Sequence, residues 1–114
     1  MWYVGMDVHF RQTVICILDE NGKKIKCIRI VGHWDRVLME LNLIQVPYQV
    51  CFEASCGYGH LYDRLKERAA RVVVAHPGHL RLIFRSKKKN DRVDAEKLAK
   101  LLYLDEVPGV YVPS

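Results

Sequence analysis

No apolar run in this 114-residue chain approaches the roughly 18 residues that a membrane-spanning helix requires, so no such helix is expected. The amino terminus, Met1-Trp2-Tyr3-Val4-Gly5-Met6-Asp7, has no basic leader and carries an acid early. It therefore reads as cytoplasmic, without a secretory signal. The four cysteines, Cys16, Cys27, Cys51 and Cys56, form no Cys-x-x-Cys pair, and with no secretion signal reduced thiols are expected. There is no internal repeat, no low-complexity stretch and no glycine-rich phosphate loop. Half of the residues are hydrophobic and 27% are charged, which excludes wholesale disorder and allows a real core without metal or disulfide staples.

Charge is present in excess of one sign. Eighteen Lys and Arg stand against thirteen Asp and Glu, a net +5. Between Arg81 and Lys100, eight basic residues (Arg81, Arg85, Lys87, Lys88, Lys89, Arg92, Lys97, Lys100) face three acids, so this segment carries the whole excess. A basic segment fits an anionic partner, although a charge run is also what a solvated face looks like.

Residues Tyr3–Val8 and Thr13–Leu18 read as β-strands, and Asn21-Gly22 is a hairpin signal leading to a return strand over Ile25–Ile30. A two-residue turn pairs Leu18 with Ile25 and sets Cys16 opposite Cys27 as two small apolar groups. Trp34, Val37, Leu38 and Leu41 recur at helical spacing within His33–Leu43. A strand over Gln49–Glu53, a Gly57-Tyr58-Gly59 loop, a helix over His60–Ala70 and a buried strand over Val72–Ala75 follow. A last helix runs from about Asp91 to Leu104, with Ala95, Leu98, Ala99 and Leu102 as its buried stripe. The order β-β-β-α-β-α-β-α predicts a mixed α/β sheet, three antiparallel strands then βαβ units, with helices on both faces. Residues 1–104 form the predicted domain, and 105–114, with Pro108 and Pro113, an exposed tail or linker.

Four carboxylates are the candidates for chemistry. Asp7 shares a strand face with Tyr3, Gly5 and His9, and a carboxylate amid apolar residues is costly to bury unless paired or bound to a cation. Gly5 leaves room on that face for something large to approach. The competing reading makes this an edge strand with Asp7 in water. Glu53 closes a parallel strand, where ligands bind in open α/β sheets, or it simply meets solvent. Asp91 and Asp94 extend the buried stripe of the last helix, and acids there also serve as caps. Converging, four acids repel unless a cation sits among them, and oxygen-only ligation suits Mg²⁺ or Mn²⁺. Two such ions about 3.5–4 Å apart serve phosphodiester cleavage. The basic run Arg81–Lys89 stands just before Asp91 and Asp94, suited to a polyanion.

Other groups carry less. Cys51, Cys56 and His60 lack a fourth zinc ligand and finger spacing. Cys56 as a nucleophile has no evident base beyond His60. Tyr58 and His79 read as packing or surface groups, with base stacking or phosphate contact as the alternative.

The segments Gly5-Met6-Asp7-Val8-His9, Phe52-Glu53-Ala54-Ser55-Cys56-Gly57-Tyr58-Gly59 and Lys89-Asn90-Asp91-Arg92-Val93-Asp94-Ala95 resemble the N-terminal domain of DEDD-type insertion-sequence transposases. This is the IS-one-ten group, related to the pilin-gene invertases (Piv). The resemblance covers nearly the whole chain. It implies a RuvC-like domain of the ribonuclease H fold, with Asp7, Glu53, Asp91 and Asp94 as the catalytic, Mg²⁺-binding acids. It also implies site-specific DNA recombination, DNA and a structured bridge RNA as partners, and a homo-oligomer. The family has a catalytic serine in a separate C-terminal domain, which Ser55, Ser86 and Ser114 do not match. Cys56 stands where the family has glycine.

The expectation is therefore a transposase DEDD domain contacting nucleic acid through Arg81, Arg85, Lys87, Lys88, Lys89 and Arg92, and incapable of complete strand exchange by itself. The rivals are a stand-alone Holliday-junction-type nuclease, half of an actin-like ATPase, and a non-catalytic nucleic-acid-binding module.

Overall fold

Alternating side chains and one tight turn build the first half of the sheet. In the computed structural model, which describes residues 1–53, 58–76 and 91–109, strand β1 (Trp2–Val8) pairs antiparallel with β2 (Gln12–Leu18). Strand β2 in turn pairs antiparallel with β3 (Lys24–Val31).

The hairpin at Asn21-Gly22 forms in a different register from the two-residue turn. Asp19 N–H donates to the Lys23 carbonyl at 2.8 Å, and Asp19 Oδ1 accepts from the amides of Asn21 (2.8 Å) and Lys23 (2.9 Å). The loop therefore holds three residues, ending in Gly22 at φ +78°, a left-handed geometry that glycine adopts without strain. Leu18 pairs with Lys24 instead of Ile25, and the one-residue shift is absorbed between Ile17 and Leu18. Cys16 does face Cys27. The two are joined by a disulfide, and are not the pair of separate apolar thiols expected, because directly opposed residues on neighbouring strands lie within bridging reach.

Helix α1 (Trp34–Leu41) is shorter than its periodic pattern, since His33 is its N-cap: the ring accepts from Asp35 N–H at 3.4 Å. Strand β4 (Tyr48–Glu53) lies parallel to β1. Helix α2 (Tyr58–Lys66) starts and ends earlier than expected. Tyr58 and Gly59 belong to its first turn. At its end, the Ala70 amide is drawn to the Tyr48 carbonyl at 2.8 Å, which steers the chain into β5 (Arg71–Ala75), parallel to β4. Helix α3 (Asp91–Tyr103) closes the order. The sheet runs β3-β2-β1-β4-β5, so β1 is its central strand.

The period of two sorts the strands onto two faces. Val4, Met6, Ile15, Ile17, Val50 and Phe52 pack against Val37 and Leu41 of α1 and Leu61 and Leu65 of α2. On the other face, Val14, Cys16, Cys51 and Ala75 meet Ala95, Leu98 and Leu102 of α3, the predicted stripe. Burying each of these leucines stabilises by about 1.5–3 kcal/mol.

Helix α3 ends in a left-handed cap. Asp105 (φ 57°) donates its amide to Leu102 O at 3.0 Å, and Glu106 to Leu101 O at 2.9 Å. Asp105 also pairs with Arg71 at 2.9 Å. Beyond the cap, Gly109 bridges to Ala75 and the His76 amide donates to the Pro108 carbonyl at 2.6 Å. Residues 107–109 thus run beside β5, with Pro108 half-buried, where an exposed tail was expected.

Candidate functional site

The site is best built outward from Asp7. Because β1 is central, flanked by β2 and β4, the solvated-edge reading of Asp7 does not hold: the residue is 9% exposed. A carboxylate held that far from water needs polar partners. One is His9, two residues along the same face, which donates from Nε2 to Asp7 Oδ2 at 3.1 Å.

What approaches Gly5 is helix α3 itself. A Cβ at Gly5 would collide with the Ala95 carbonyl oxygen and the Ala99 amide nitrogen. At the other end of β1, Tyr3 meets Tyr103 edge-to-face, with ring centroids 5.3 Å apart. Moving from Tyr3 to Gly5 along the strand therefore moves from Tyr103 to Ala95 along the helix. The carboxyl end of β1, with Asp7, lies at the amino-terminal end of α3, which holds Asp91 and Asp94 in its sequence.

Glu53 joins the same end. Strand β4 runs in register with β1 through Gly5↔Cys51 and Met6↔Phe52, and the next residues of that register are Asp7 and Glu53. Cys51 packs against α3, so Glu53, two residues on, shares the α3 face; it is half-buried. Ala75 follows Glu53 across the sheet on β5. On the opposite side Asp7 faces Val14, and Val14 faces Arg29. One row on one face thus reads Arg29, Val14, Asp7, Glu53, Ala75.

Asp91, Arg92 and Asp94 have a helical backbone in the first turns of α3, and their side chains lie outside what the structure describes. Arg81, Arg85, Lys87, Lys88 and Lys89 lie outside the described residues altogether, as do Cys56 and His79. Among the described residues, no three His, Cys, Asp or Glu side chains are grouped closely enough to hold a metal ion. The described part of the site is the neighbouring pair Asp7 and Glu53, with His9 on Asp7.

The structure separates two of the other candidates. Cys51 is buried on the α3 face, whereas His60 is exposed on α2, which covers the other face. Burial pushes the Cys51 thiol up to about 12, against a smaller opposing pull from Arg71, so it is a core thiol and not a ligand or nucleophile. A surface groove of about 790 Å³, lined by Leu41, Pro47, Tyr48 and Arg68 among others, opens at the amino-terminal end of β4. That is the far end of the strand from Glu53. Sequence reasoning passed over Arg29, whose place in the Asp7 row depends on the hairpin register, and Phe10 and Arg11 in the turn after β1. Among the described residues no helix is long and apolar enough to cross a membrane.

A five-stranded mixed sheet with a central β1, a parallel β4–β5 extension and a helix laid over Gly5 defines a RuvC-like domain of the ribonuclease H fold. The chain superposes on T. thermophilus RuvC in complex with Holliday junction substrate with a TM-score of 0.63 at 11% identity, covering 96% of this chain and 99% of that one. Residues 4–113 match the model of the DEDD transposase family named for IS110, described as "Transposase", and the chain belongs to that family. It is 32% identical over 104 residues to the transposase for insertion sequence element IS1533 of Leptospira borgpetersenii. That match takes in 88% of this chain and 30% of the relative, so the chain spans about three tenths of the length of that protein.

Proposed function

We propose that the chain is the metal-dependent catalytic domain of a site-specific DNA recombinase, in which Asp7, Glu53, Asp91 and Asp94 hold Mg²⁺ or Mn²⁺. The observation that carries this reading is Asp7 itself, a nearly buried carboxylate on the central strand, beside Glu53 and at the end of α3 that bears the other two acids. The donor chemistry fits a hard divalent cation, because all four groups are carboxylates. Such ions, when bound, neutralise charge on the attacking and leaving oxygens of a phosphodiester. The protein's own part is positional. His9 fixes the orientation of the Asp7 carboxylate, and Gly5 lets α3 approach closely enough for its first turns to share one site with β1 and β4.

Arg81, Arg85, Lys87, Lys88, Lys89 and Arg92 supply phosphate contacts to DNA and to a structured guide RNA. The full-length protein works as a homo-oligomer. The relative extends well beyond the region matched here, which supports a division of labour: this domain carries metal chemistry, and complete strand exchange needs further domains. A stand-alone junction nuclease would use the same acids; the RuvC-like fold favours it as the second reading.

The deciding experiment is Mn²⁺ titration of the parent chain, Asp7→Asn and Asp94→Asn, followed by calorimetry and thermal melting. Ligand binding to the native state raises its stability by mass action. The expected result is a raised melting temperature for the parent in millimolar Mn²⁺ and none for either variant. Both variants should fold, with equal or greater stability in the absence of metal, because one repulsive charge is gone. Variants that bind Mn²⁺ like the parent would refute the four-carboxylate site. Mn²⁺-dependent cutting of branched DNA by the chain alone would favour the nuclease reading.

A further inference from the structure

The turn that follows Asp7 presents an aromatic ring to solvent in a basic setting. Phe10, at the tip between β1 and β2, is 90% exposed. Single exposed hydrophobic residues are common, so exposure alone says little. The setting of this one is particular. His9 N–H donates to the Gln12 carbonyl at 2.9 Å, and Gly32 N–H donates to the Arg11 carbonyl at 2.8 Å, so the turn is fastened both to itself and to the end of β3. The His9 ring is fastened to Asp7. Phe10 is thus held out on a fixed turn, three residues from the carboxylate, within about 11 Å of extended chain.

Three arginines share this end of the sheet. Arg11 is exposed on the same turn. The Arg36 side chain lies over Gly32, whose amide anchors that turn, with its Cδ 3.1 Å from where a Cβ would stand. Arg29 is exposed on the edge strand, in the cross-sheet row that contains Asp7. None of the three arginines is in an ion pair among the described residues. The acids at this end are Asp7, bonded to His9, Glu53 beside it on β4, Asp35 in the first turn of α1, and Asp91 and Asp94 in the first turns of α3, so the three arginines stand beside the carboxylates and not in place of them. An exposed aromatic on a turn fastened through its backbone, near guanidinium groups that form no ion pair among the described residues, is the composition of a surface that stacks a base and holds its phosphates.

We infer that Phe10 is a stacking platform for an unpaired base, and that Arg11, Arg29 and Arg36 hold the backbone of the same strand as it approaches the Asp7–Glu53 end of the sheet. This rests on the nucleic-acid reading above and adds a positioning surface to it. Stacking is tolerant of base identity, so the platform selects a splayed strand over a closed duplex, not one sequence over another.

The test is binding of a splayed duplex carrying 2-aminopurine at the unpaired positions, followed by fluorescence quenching and by salt titration. The parent and Phe10→Trp should quench the probe. Phe10→Ala should lose the quenching and bind roughly 5- to 150-fold more weakly, with an unchanged salt slope, because no phosphate contact is removed. The triple variant Arg11→Ala, Arg29→Ala, Arg36→Ala should bind with a shallower salt slope. If the parent binds the probe and Phe10→Ala quenches and binds equally, the platform is refuted while the functional reading stands. If Phe10→Ala instead leaves nucleic-acid affinity intact and shifts the sedimentation of the chain, the ring is a protein contact and the inference is also refuted. A parent that binds no nucleic acid refutes both readings, whereas loss of the metal site is read separately by the Mn²⁺ titration.

Discussion

The backbone of Ala95 lies directly on Gly5, in space that any other residue's Cβ would need. This contact brings α3 onto the central strand and brings the end of the helix with Asp91 and Asp94 to the end of the strand with Asp7. The colliding atoms belong to the helix backbone, which cannot rotate away as a side chain would. Gly5→Ala is therefore expected to destabilise the chain by about 3 kcal/mol, at or beyond the upper end of ordinary overpacking. Urea unfolding measures it, and an unchanged midpoint would show that α3 does not rest there.

Lys87, Lys88 and Lys89 are expected to act as sequence-independent phosphate contacts. Replacing all three by Ala should weaken DNA binding alike across sequences. It should also reduce the slope of log affinity against log salt by about 2 to 3. Filter binding or anisotropy over a salt series reads both. A triple variant with the parental slope would make the run a solvated face.

The Cys16–Cys27 disulfide closes a short loop, with a sequence separation of 11. In the chain-entropy account, a loop of that size stabilises by about 3 kcal/mol. Reduction with dithiothreitol, or Cys27→Ala, should lower the urea midpoint by a corresponding amount without unfolding the chain, since β2 and β3 remain paired by their backbones. Equal midpoints under oxidising and reducing conditions would show that the bridge contributes nothing.

Cys51 links stability to pH. Its thiol is pushed up from an ordinary 9.0 to about 12, mainly by burial. Above pH 9 the unfolded chain releases this proton and the folded chain keeps it. The stability contribution is therefore complete below about pH 9 and is lost as pH rises from about 9 to 12. The expected slope is about 1 kcal/mol per pH unit within that window. Cys51→Ala, compared with the parent by denaturant unfolding at several pH values, should lose this part of the slope. Identical slopes would place the thiol in contact with water. At neutral pH the same burial predicts that thiol reagents label Cys51 only after unfolding.

Much of this architecture is local and so was legible in the residues themselves. The stripe Ala95, Leu98, Ala99, Leu102 needs only the 3.6-residue period to show which side of α3 is buried. The alternation in β1 was enough to set Gly5, Asp7 and His9 on one face, and the Asn21-Gly22 pair marked a reversal of the chain. The identity of the four acids, and their order along the chain, likewise belong to the sequence.

What the tertiary structure decided depends on partners remote in the chain. The hairpin register turned on Asp19 capturing two amides of its own loop, a competition between a side-chain acceptor and an ideal two-residue turn that propensity does not resolve. The burial of Asp7 turned on strand order, because a carboxylate on an edge is solvated and the same carboxylate on a central strand is not. The space over Gly5 could have admitted a ligand, and it was filled by α3, some ninety residues downstream. Arg29 reached the Asp7 row only through two successive strand pairings. In each case local residue chemistry fixed what a group can do, and long-range packing fixed which neighbours and how much water it meets.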